Sequence, residues 1–127
     1  MTEPLITAIV STYRAERFMR GCLESLTDQT LGDLVEILVI DSNSPENERA
    51  IVEEFQREHA NIRYVRTSMR EETTGAFNRA IGLARGKYLT TANTDDRHRP
   101  DALELMTKAL EEHPEFGIVY ADSLITN

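Results

Sequence analysis

Two spacings of apolar residues alternate along the chain. Short runs of consecutive apolar, often β-branched residues are typical of buried strands, whereas apolar residues that recur every three or four positions are typical of amphipathic helices. The short runs predict strands at 5–11, 35–40, 61–65, 87–92 and 116–120. The helical spacing predicts helices at 16–29, 45–59, 73–85 and 100–112.

This alternation predicts an α/β fold with a Rossmann-like, mainly parallel sheet. Strand–helix–strand units favour parallel strands, and their right-handed crossovers place helices on both faces of the sheet. A length of 127 residues fits a single domain, residues 1–127. Residues 123–127 follow the last predicted strand directly, so we expect this domain to be truncated or partial.

Local signals predict where three of the helices begin or end. Ser44 and Pro45 offer an N-cap and a first helical residue for the second helix. Gly86 is placed to end the third helix, and Pro100 marks the start of the fourth.

Composition and charge exclude several classes of protein. The chain has 22 acidic and 14 basic residues and a formal charge of −8, which argues against nucleic-acid binding through a basic face. Cys22 is the single cysteine and cannot form an internal disulfide. No apolar run approaches the roughly 20 residues that span a bilayer. We therefore expect a cytoplasmic protein, with peripheral membrane association open for a full-length form.

Polar side chains collect where the predicted strands end. Hydroxyls, an aromatic ring, arginines and carboxylates occur at residues 11–14, 41–44, 68–70 and 93–96. Because open α/β sheets bind ligands at the carboxyl ends of their strands, this edge is the predicted nucleotide site. The opposite ends of the strands are predicted to carry no comparable set of polar residues.

The sequence Asn-Thr-Asp-Asp at residues 93–96 is the most specific of these clusters, and we call it the acidic turn. Two adjacent carboxylates after a strand form a hard-oxygen site that suits a divalent cation carrying a phosphate. Asp95 and Asp96 lie several residues before Pro100, which argues against a role as helix-dipole residues.

Other members of the clusters also have structural interpretations. Asp41 is either a turn residue or an acceptor for a base or ribose, and Tyr13 either caps the core or stacks on a base. Arg70 is either a solvated charge or a ligand contact. Arg97 and Arg99 either pair with neighbouring acids or bind phosphate.

Several well-defined motifs are absent. No Gly-x-Gly-x-x-Gly follows the first strand and no Gly-Lys-Ser/Thr occurs, so neither a dinucleotide fingerprint nor a P-loop is present. Phosphate charge would be handled by a cation and by side chains. His59, His98 and His113 show no zinc spacing, and no motif of a covalent nucleophile occurs.

Five segments, in order, resemble the family 2 glycosyltransferases of the GT-A fold over essentially the whole chain. Residues 11–14 resemble the family's Pro-Thr-Tyr-Asn opening, and residues 22–30 resemble its Cys-Leu-x-Ser-Leu-x-x-Gln-Thr helix. Residues 37–44 resemble its Ile-Val-Asp-Asp-Gly-Ser strand end, and residues 75–88 its third helix and following strand. The acidic turn falls on its Asp-x-Asp-Asp motif.

The resemblance implies transfer of a sugar, with inversion, from a nucleotide diphosphate sugar to a hydroxyl of a saccharide, lipid or protein acceptor. It implies that Asp95 holds Mg²⁺ or Mn²⁺ on the diphosphate and that Asp96 supports the metal shell or touches the sugar. The catalytic base is expected beyond Asn127. The implied nucleotide-binding residues are Thr12, Tyr13, Arg14, Asp41, Arg70, Asn78 and Asn93.

The chain departs from the family pattern at two motifs. Asn93 replaces the first aspartate of the acidic motif, which removes one charge, and Asp41 is followed by Ser-Asn-Ser rather than Asp-Gly-Ser. The catalytic base is expected beyond Asn127. We therefore predict that the chain alone is a donor-binding half that binds nucleotide weakly and does not catalyse sugar transfer.

Two alternatives stay open. One is a non-catalytic module of the same fold that binds a nucleotide or a partner protein. The other is a receiver-like or flavodoxin-like domain, against which the sequence after the first strand argues, because it lacks both an acidic cluster and a phosphate loop. A homodimer through apolar surface around Leu124 is also open.

Overall fold

Four parallel strands form the centre of the computed structural model, which describes residues 3–120. The strands lie in the order β3-β2-β1-β4, a single parallel sheet as predicted. They are β1 (Ile6–Thr12), β2 (Val35–Asp41), β3 (Ile62–Arg66) and β4 (Tyr88–Thr91). The helices are α1 (Glu16–Thr27), α2 (Glu48–Gln56), α3 (Thr73–Leu83) and α4 (Ala102–Glu112), and a 3₁₀ turn (Gly32–Leu34) precedes β2.

Helices cover both faces of this sheet, which confirms the predicted layers. One face packs against α1, α2 and α4 through residues such as Leu23, Val52 and Leu103. The other face packs against α3, where Ala76 and Ala80 contact the centre of the sheet. Every residue of β2 is buried, as expected for a central parallel strand enclosed by helices on both sides.

The register of the strands aligns their carboxyl ends. Thr12 is paired with Asp41, and Asp41 is paired with Arg66. The polar segments that follow β1, β2 and β3 therefore begin at one level, at what we call the carboxyl edge of the sheet. The opposite side, where the strands begin, is the amino edge.

The second helix begins later than predicted. Its first residue is Glu48, and its N-cap is Asn47, whose side chain accepts a hydrogen bond from the backbone N–H of Ala50. The Ser44 hydroxyl instead accepts from the backbone N–H groups of Arg14 and Glu46. The prediction that Ser44 caps this helix is wrong, because the loop after β2 uses that hydroxyl to hold the loop after β1.

Gly86 is needed for packing rather than for ending a helix. Helix α3 already ends at Leu83. A Cβ atom on Gly86 would lie 2.5 Å from the backbone nitrogen of Thr7 and 2.6 Å from the carbonyl carbon of Ile6. The chain can pass this close to β1 only without a side chain. Pro100 likewise precedes the fourth helix, which begins at Ala102.

The predicted fifth strand at 116–120 is wrong. This segment has no ladder hydrogen bonds within the described residues, and Ile118 is 84% exposed. Residues 117–119 line a groove of about 330 Å³ together with residues of β4 and α4. Strand propensity alone does not make a strand, and this apolar run is not paired with the neighbouring edge strand β4 in the described residues.

The amino edge carries a polar network around Glu36, so the prediction that this edge has no comparable set of polar residues is also wrong. Glu36 is 5% exposed. Its carboxylate accepts from the Thr7 hydroxyl (2.8 Å), the Arg85 backbone N–H (2.9 Å) and the Arg63 guanidinium (2.9 Å). Burial by itself would raise the pKa of Glu36, but these donors outweigh burial and lower it. The network was hidden because its members are scattered along the sequence.

Residues 1–2 and 121–127, and with them the proposed contact surface at Leu124, lie outside the described part of the chain. Between residues 3 and 120, no helix has the length and apolar character required to cross a bilayer.

Candidate functional site

Asp41 organises the carboxyl edge from the end of β2. Its side chain is completely buried, and Oδ1 accepts from the backbone N–H of Ser44 (2.8 Å). Oδ2 accepts from the Tyr64 hydroxyl and from the Arg66 guanidinium (3.4 Å). Burial and the bond to Asp41 raise the pKa of Tyr64 to about 12. The carboxylate predicted to contact a base is therefore occupied by donors from the protein.

Glu48 forms a second buried acidic centre at the same edge. Its side chain is 0% exposed, and Oε2 accepts from the Thr12 hydroxyl (2.8 Å) and the Ala15 backbone N–H (3.4 Å). Oε1 has no hydrogen-bond partner within residues 3–120. The Thr12 hydroxyl thus points to Glu48 and not into the open cleft. No pattern in the sequence points to Glu48, because an acid in the first turn of a helix is an ordinary dipole residue.

The residues between Thr12 and Ala15 adopt a constrained backbone. Arg14 has a φ of 53°, which is uncommon for a residue with a side chain. It is held by Glu48, which accepts from Thr12 and Ala15 at the two ends of this segment, and by Ser44, whose hydroxyl accepts from the Arg14 N–H at 3.0 Å. Asn43 in the neighbouring loop has a φ of 58°. Strain of this kind persists where surrounding contacts enforce it, and it is common at binding sites.

This loop places the ring of Tyr13 close to two arginines. The guanidinium carbon of Arg70 lies 4.2 Å from the centre of the Tyr13 ring, and that of Arg14 lies 5.6 Å away. These are cation–π distances. The Ser42 hydroxyl holds the loop that carries Arg70, because it donates to the carbonyl of Glu71 at 2.5 Å.

A cleft of about 490 Å³ opens beside Tyr13. It joins the end of β1, the loop before α3 and the acidic turn, so three of the predicted polar clusters meet in it. Of the predicted nucleotide-binding residues, Tyr13 and Arg70 line the cleft, whereas Asn78 on α3 is exposed elsewhere. The lining residues are Ser11, Tyr13, Ala15, Arg70, Glu71, Glu72, Thr73, Thr74 and Thr94.

Of the acidic turn, Thr94 lines this cleft, whereas Asn93, Asp95 and Asp96 are not among the lining residues. Asn93, Asp95 and Asp96 are exposed. The Asn93 side-chain amide donates to Asp96 Oδ2 (3.2 Å), and the Asp96 N–H donates to the Asn93 carbonyl (3.0 Å). Asn93 therefore supports Asp96 instead of adding a third charge. Within the described residues, the Asp95 carboxylate makes no hydrogen bond or ion pair, which leaves it available to a ligand.

Arg97 follows the turn and contacts its backbone. Its guanidinium donates to the carbonyls of Thr94 and Asp96, at 2.7 Å each, and to the carbonyl of Phe18 on α1 at 3.3 Å. Neither of the two predicted roles, pairing with an acid or binding phosphate, describes these contacts. Arg99 does pair with a neighbouring acid, Asp101, at 3.0 Å.

The carboxylates of the described residues form only part of a site for a divalent cation. Between residues 3 and 120, no group of three or more His, Cys, Asp and Glu side chains converges on one point. The protein alone therefore offers two exposed carboxylates, Asp95 and Asp96. Mg²⁺ is commonly held by one or two carboxylates together with phosphate oxygens and water. The residues fit a cation that arrives with a diphosphate and do not fit an all-protein metal cage.

Comparison with protein families matches residues 7–123 to the model described as glycosyl transferase family 2. The chain is 26% identical over 122 residues to an uncharacterised glycosyltransferase of Methanocaldococcus jannaschii, and 30% identical over 118 residues to the chondroitin synthase of Escherichia coli. These matches cover 95% and 92% of the chain, but only 42% and 17% of the two relatives. The chain thus spans less than half of either relative.

Solved structures show the same fold. S. aureus TarS in complex with UDP-GlcNAc superposes with a TM-score of 0.79 at 23% identity, over 87% of this chain and 32% of that one. The Pyrobaculum calidifontis mannosyltransferase PcManGT in complex with GDP-Man and Mn²⁺ superposes with a TM-score of 0.78 at 24% identity, over 87% and 33%.

Proposed function

The chain belongs to glycosyl transferase family 2, and from this premise we propose that it is the donor-binding half of a metal-dependent, inverting glycosyltransferase. The donor would be a nucleotide diphosphate sugar. The observation that carries the proposal is the cleft that Tyr13, with Arg70 over its ring, lines together with Thr94, the neighbour of Asp95 in the acidic turn.

The two ends of the cleft suit the two ends of such a donor. The ring of Tyr13 and the planar guanidinium of Arg70 that lies over it offer stacking surfaces for a base, and Arg70 and Arg14 place positive charge beside that position. Thr94 on the other rim brings the acidic turn within the same cleft. We assign the nucleoside to the side of Tyr13 and the diphosphate to the side of Asp95.

Asp41, Thr12 and Glu48 are assigned a supporting role. Asp41 accepts from the backbone of the loop after β2, and Glu48 accepts from Thr12 and Ala15 on the loop after β1. These bonds fix the positions of Tyr13 and Arg14. Both Asp41 oxygens accept from the protein, and a direct contact with the base would require a rearrangement of these bonds.

Asp95 and Asp96 would hold Mg²⁺ or Mn²⁺, which offsets the negative charge of the diphosphate leaving group when bound. Asn93 orients Asp96 through its side-chain amide. We assign the catalytic base and the acceptor site to the part of the relatives that this chain does not cover, since the chain spans 42% of the first of them.

The donor class is inferred from the structural neighbours, which bind UDP-GlcNAc in one case and GDP-Man with Mn²⁺ in the other. Both ligands share a nucleoside diphosphate and differ in base and sugar. We therefore propose a nucleoside diphosphate as the common part of the donor. Which base and which sugar it carries is a question for experiment.

Calorimetric titration of the chain with UDP, GDP and TDP, with and without Mn²⁺, tests the proposal. We expect one nucleotide to bind more tightly with Mn²⁺, and Asp95→Ala to weaken this metal-dependent binding by roughly tenfold or more. Asp33→Ala is the matched control, because Asp33 is an exposed acid at the amino edge. Absence of nucleotide binding under every condition would refute the proposal and favour a non-catalytic interaction module.

A further inference from the structure

Arg97 connects the acidic turn to helix α1 through main-chain contacts. Nη1 donates to the carbonyls of Thr94 and Asp96, and Nη2 donates to the carbonyl of Phe18. The guanidinium, whose five N–H donors form a planar fork, thus joins two stretches of backbone that are far apart in the sequence. The turn has few other attachments, because its side chains are largely exposed.

Gly21 makes room for this guanidinium. A Cβ atom at position 21 would lie 2.3 Å from Nη2 and 2.7 Å from Cζ of Arg97. The residue lies inside α1 and does not have a positive φ, so its backbone conformation does not require glycine. Because glycine weakens a helix interior, the close approach of Arg97 is the physical reason for its presence there.

The charges of the acidic turn also influence this part of α1. Cys22, next to Gly21, is buried, and burial raises the pKa of its thiol to about 11. Arg97 lowers that pKa, whereas Asp96 and Asp95 raise it, so all three charges act on the same point of the helix. Arg97 donates to the Asp96 carbonyl, so its positive charge lies beside the backbone of the acidic turn.

We propose that Gly21 and Arg97 form a clamp that holds the acidic turn against α1 and so fixes Asp95 and Asp96 for the metal–diphosphate contact. Arg97 is a positioning residue in this inference, since its donors are taken by carbonyl groups and not by a ligand. The link to metal binding rests on the proposed function, whereas the attachment of the turn to α1 can be measured without any ligand.

Gly21→Ala tests the clamp with little harm to the fold. Alanine is the better helix former, and the atom that it displaces is the far end of a flexible side chain. Gly82→Ala is the matched control, because Gly82 is also inside a helix and a Cβ there would meet nothing within 4 Å. Both variants are expected to melt at or close to the wild-type temperature.

Hydrogen–deuterium exchange of the peptide that contains residues 93–97 gives the first measurement. In the wild type the Asp96 amide is bonded to the Asn93 carbonyl. We expect Gly21→Ala to speed exchange in this peptide about tenfold and Gly82→Ala to leave it unchanged. If this peptide exchanges in Gly21→Ala at the same rate as in the wild type, the inference is overturned.

Nucleotide titration gives the second measurement. Gly21→Ala should weaken binding with Mn²⁺ by roughly tenfold while leaving binding without metal unchanged, because only the acidic turn has moved. Faster exchange without any loss of metal-dependent affinity would overturn the positioning role. If the wild type binds no nucleotide, the proposed function fails, and the exchange experiment still decides whether the clamp exists.

Arg97→Ala completes a double-mutant cycle. Alone it should reproduce the effects of Gly21→Ala, and the double variant Gly21→Ala/Arg97→Ala should be no worse than Arg97→Ala. Additive effects would show that Gly21 acts on the turn independently of Arg97, which would also overturn the inference.

Discussion

The two edges of the sheet are built from the same strands but are completed differently. At the amino edge, Glu36 is surrounded by donors, and both of its carboxylate oxygens are used. At the carboxyl edge, Glu48 is equally buried, yet one of its oxygens has no partner in the described part of the chain. Arg14 and Asn43 adopt positive φ there, and the carboxylates of the acidic turn face solvent.

The difference between the two carboxylates indicates that Glu36 serves stability and that Glu48 belongs to a binding edge; it does not extend to every buried polar atom, because Asn61 Oδ1 at the amino edge also has no partner within residues 3–120. A buried polar network whose members are all satisfied rigidifies the fold. Unsatisfied groups, strained backbone and exposed charges weaken it, and they persist where a ligand supplies what is missing. The following substitutions test this contrast, beginning with the largest expected effect on stability.

Gly86→Ala should have the largest effect, because its new Cβ would press on the backbone of β1 and not on a flexible side chain. We expect a loss of about 3 kcal/mol in the free energy of unfolding, measured by urea denaturation. Gly117→Ala is the control, since a Cβ there meets nothing within 4 Å. A stability equal to that of the control would show that the amino edge is less tightly packed than described.

Glu36→Gln should cost about 2 kcal/mol, because an amide nitrogen would face a donor where a carboxylate oxygen now accepts. The N–H of Arg85, the guanidinium of Arg63 and the hydroxyl of Thr7 could not all be satisfied. Urea denaturation at neutral pH measures this loss. A near-neutral result would mean that water replaces the lost acceptor and that this edge is not closed.

The free energy of unfolding should also depend on pH through Glu36, and this effect is expected to be smaller than that of the substitution. The pKa of Glu36 in the folded chain lies below its usual 4.5, so the unfolded chain takes up the proton first as the pH falls. The stability contributed by the charge is fully present above about pH 4.5 and is lost as the pH falls through the folded-state pKa. Unfolding curves of wild type and Glu36→Gln should therefore converge in acid. A constant gap between them down to about pH 3 would contradict the assignment.

Glu48→Gln should have the smallest effect, below about 1 kcal/mol. The amide oxygen can still accept from Thr12 and Ala15, and the amide nitrogen would take the place of the unpartnered oxygen. The informative quantity is the difference between the losses in free energy of unfolding caused by Glu48→Gln and by Glu36→Gln, measured in the same urea denaturation series. Equal losses at the two positions would remove the distinction between the two edges.

Much of the architecture was predictable because it depends on local periodicity. The apolar runs of β1 and β2 and the helical spacing around Leu23 and Leu26 predict the elements directly, and their alternation predicts the parallel sheet. The cap at Ser44 and the strand at 116–120 were not predictable, since each depends on a hydrogen-bond partner from elsewhere in the chain.

The residue types of the candidate site and their position at one edge of the sheet were also predictable. The sequence by itself determined that hydroxyls, arginines and acids follow the strands, and parallel pairing then requires those segments to share one edge. It also determined that the acidic turn has two carboxylates and an amide. These features are set by residue type and order.

Only the tertiary structure decided which polar groups remain available. Asp41 and Thr12 were predicted ligand contacts, but their side chains are taken by partners from neighbouring segments. Arg97 reaches α1 because Gly21, 76 positions earlier in the chain, leaves a gap of the right size. Hydrogen bonding and steric fit act between atoms that folding brings together, so sequence order alone could not show them.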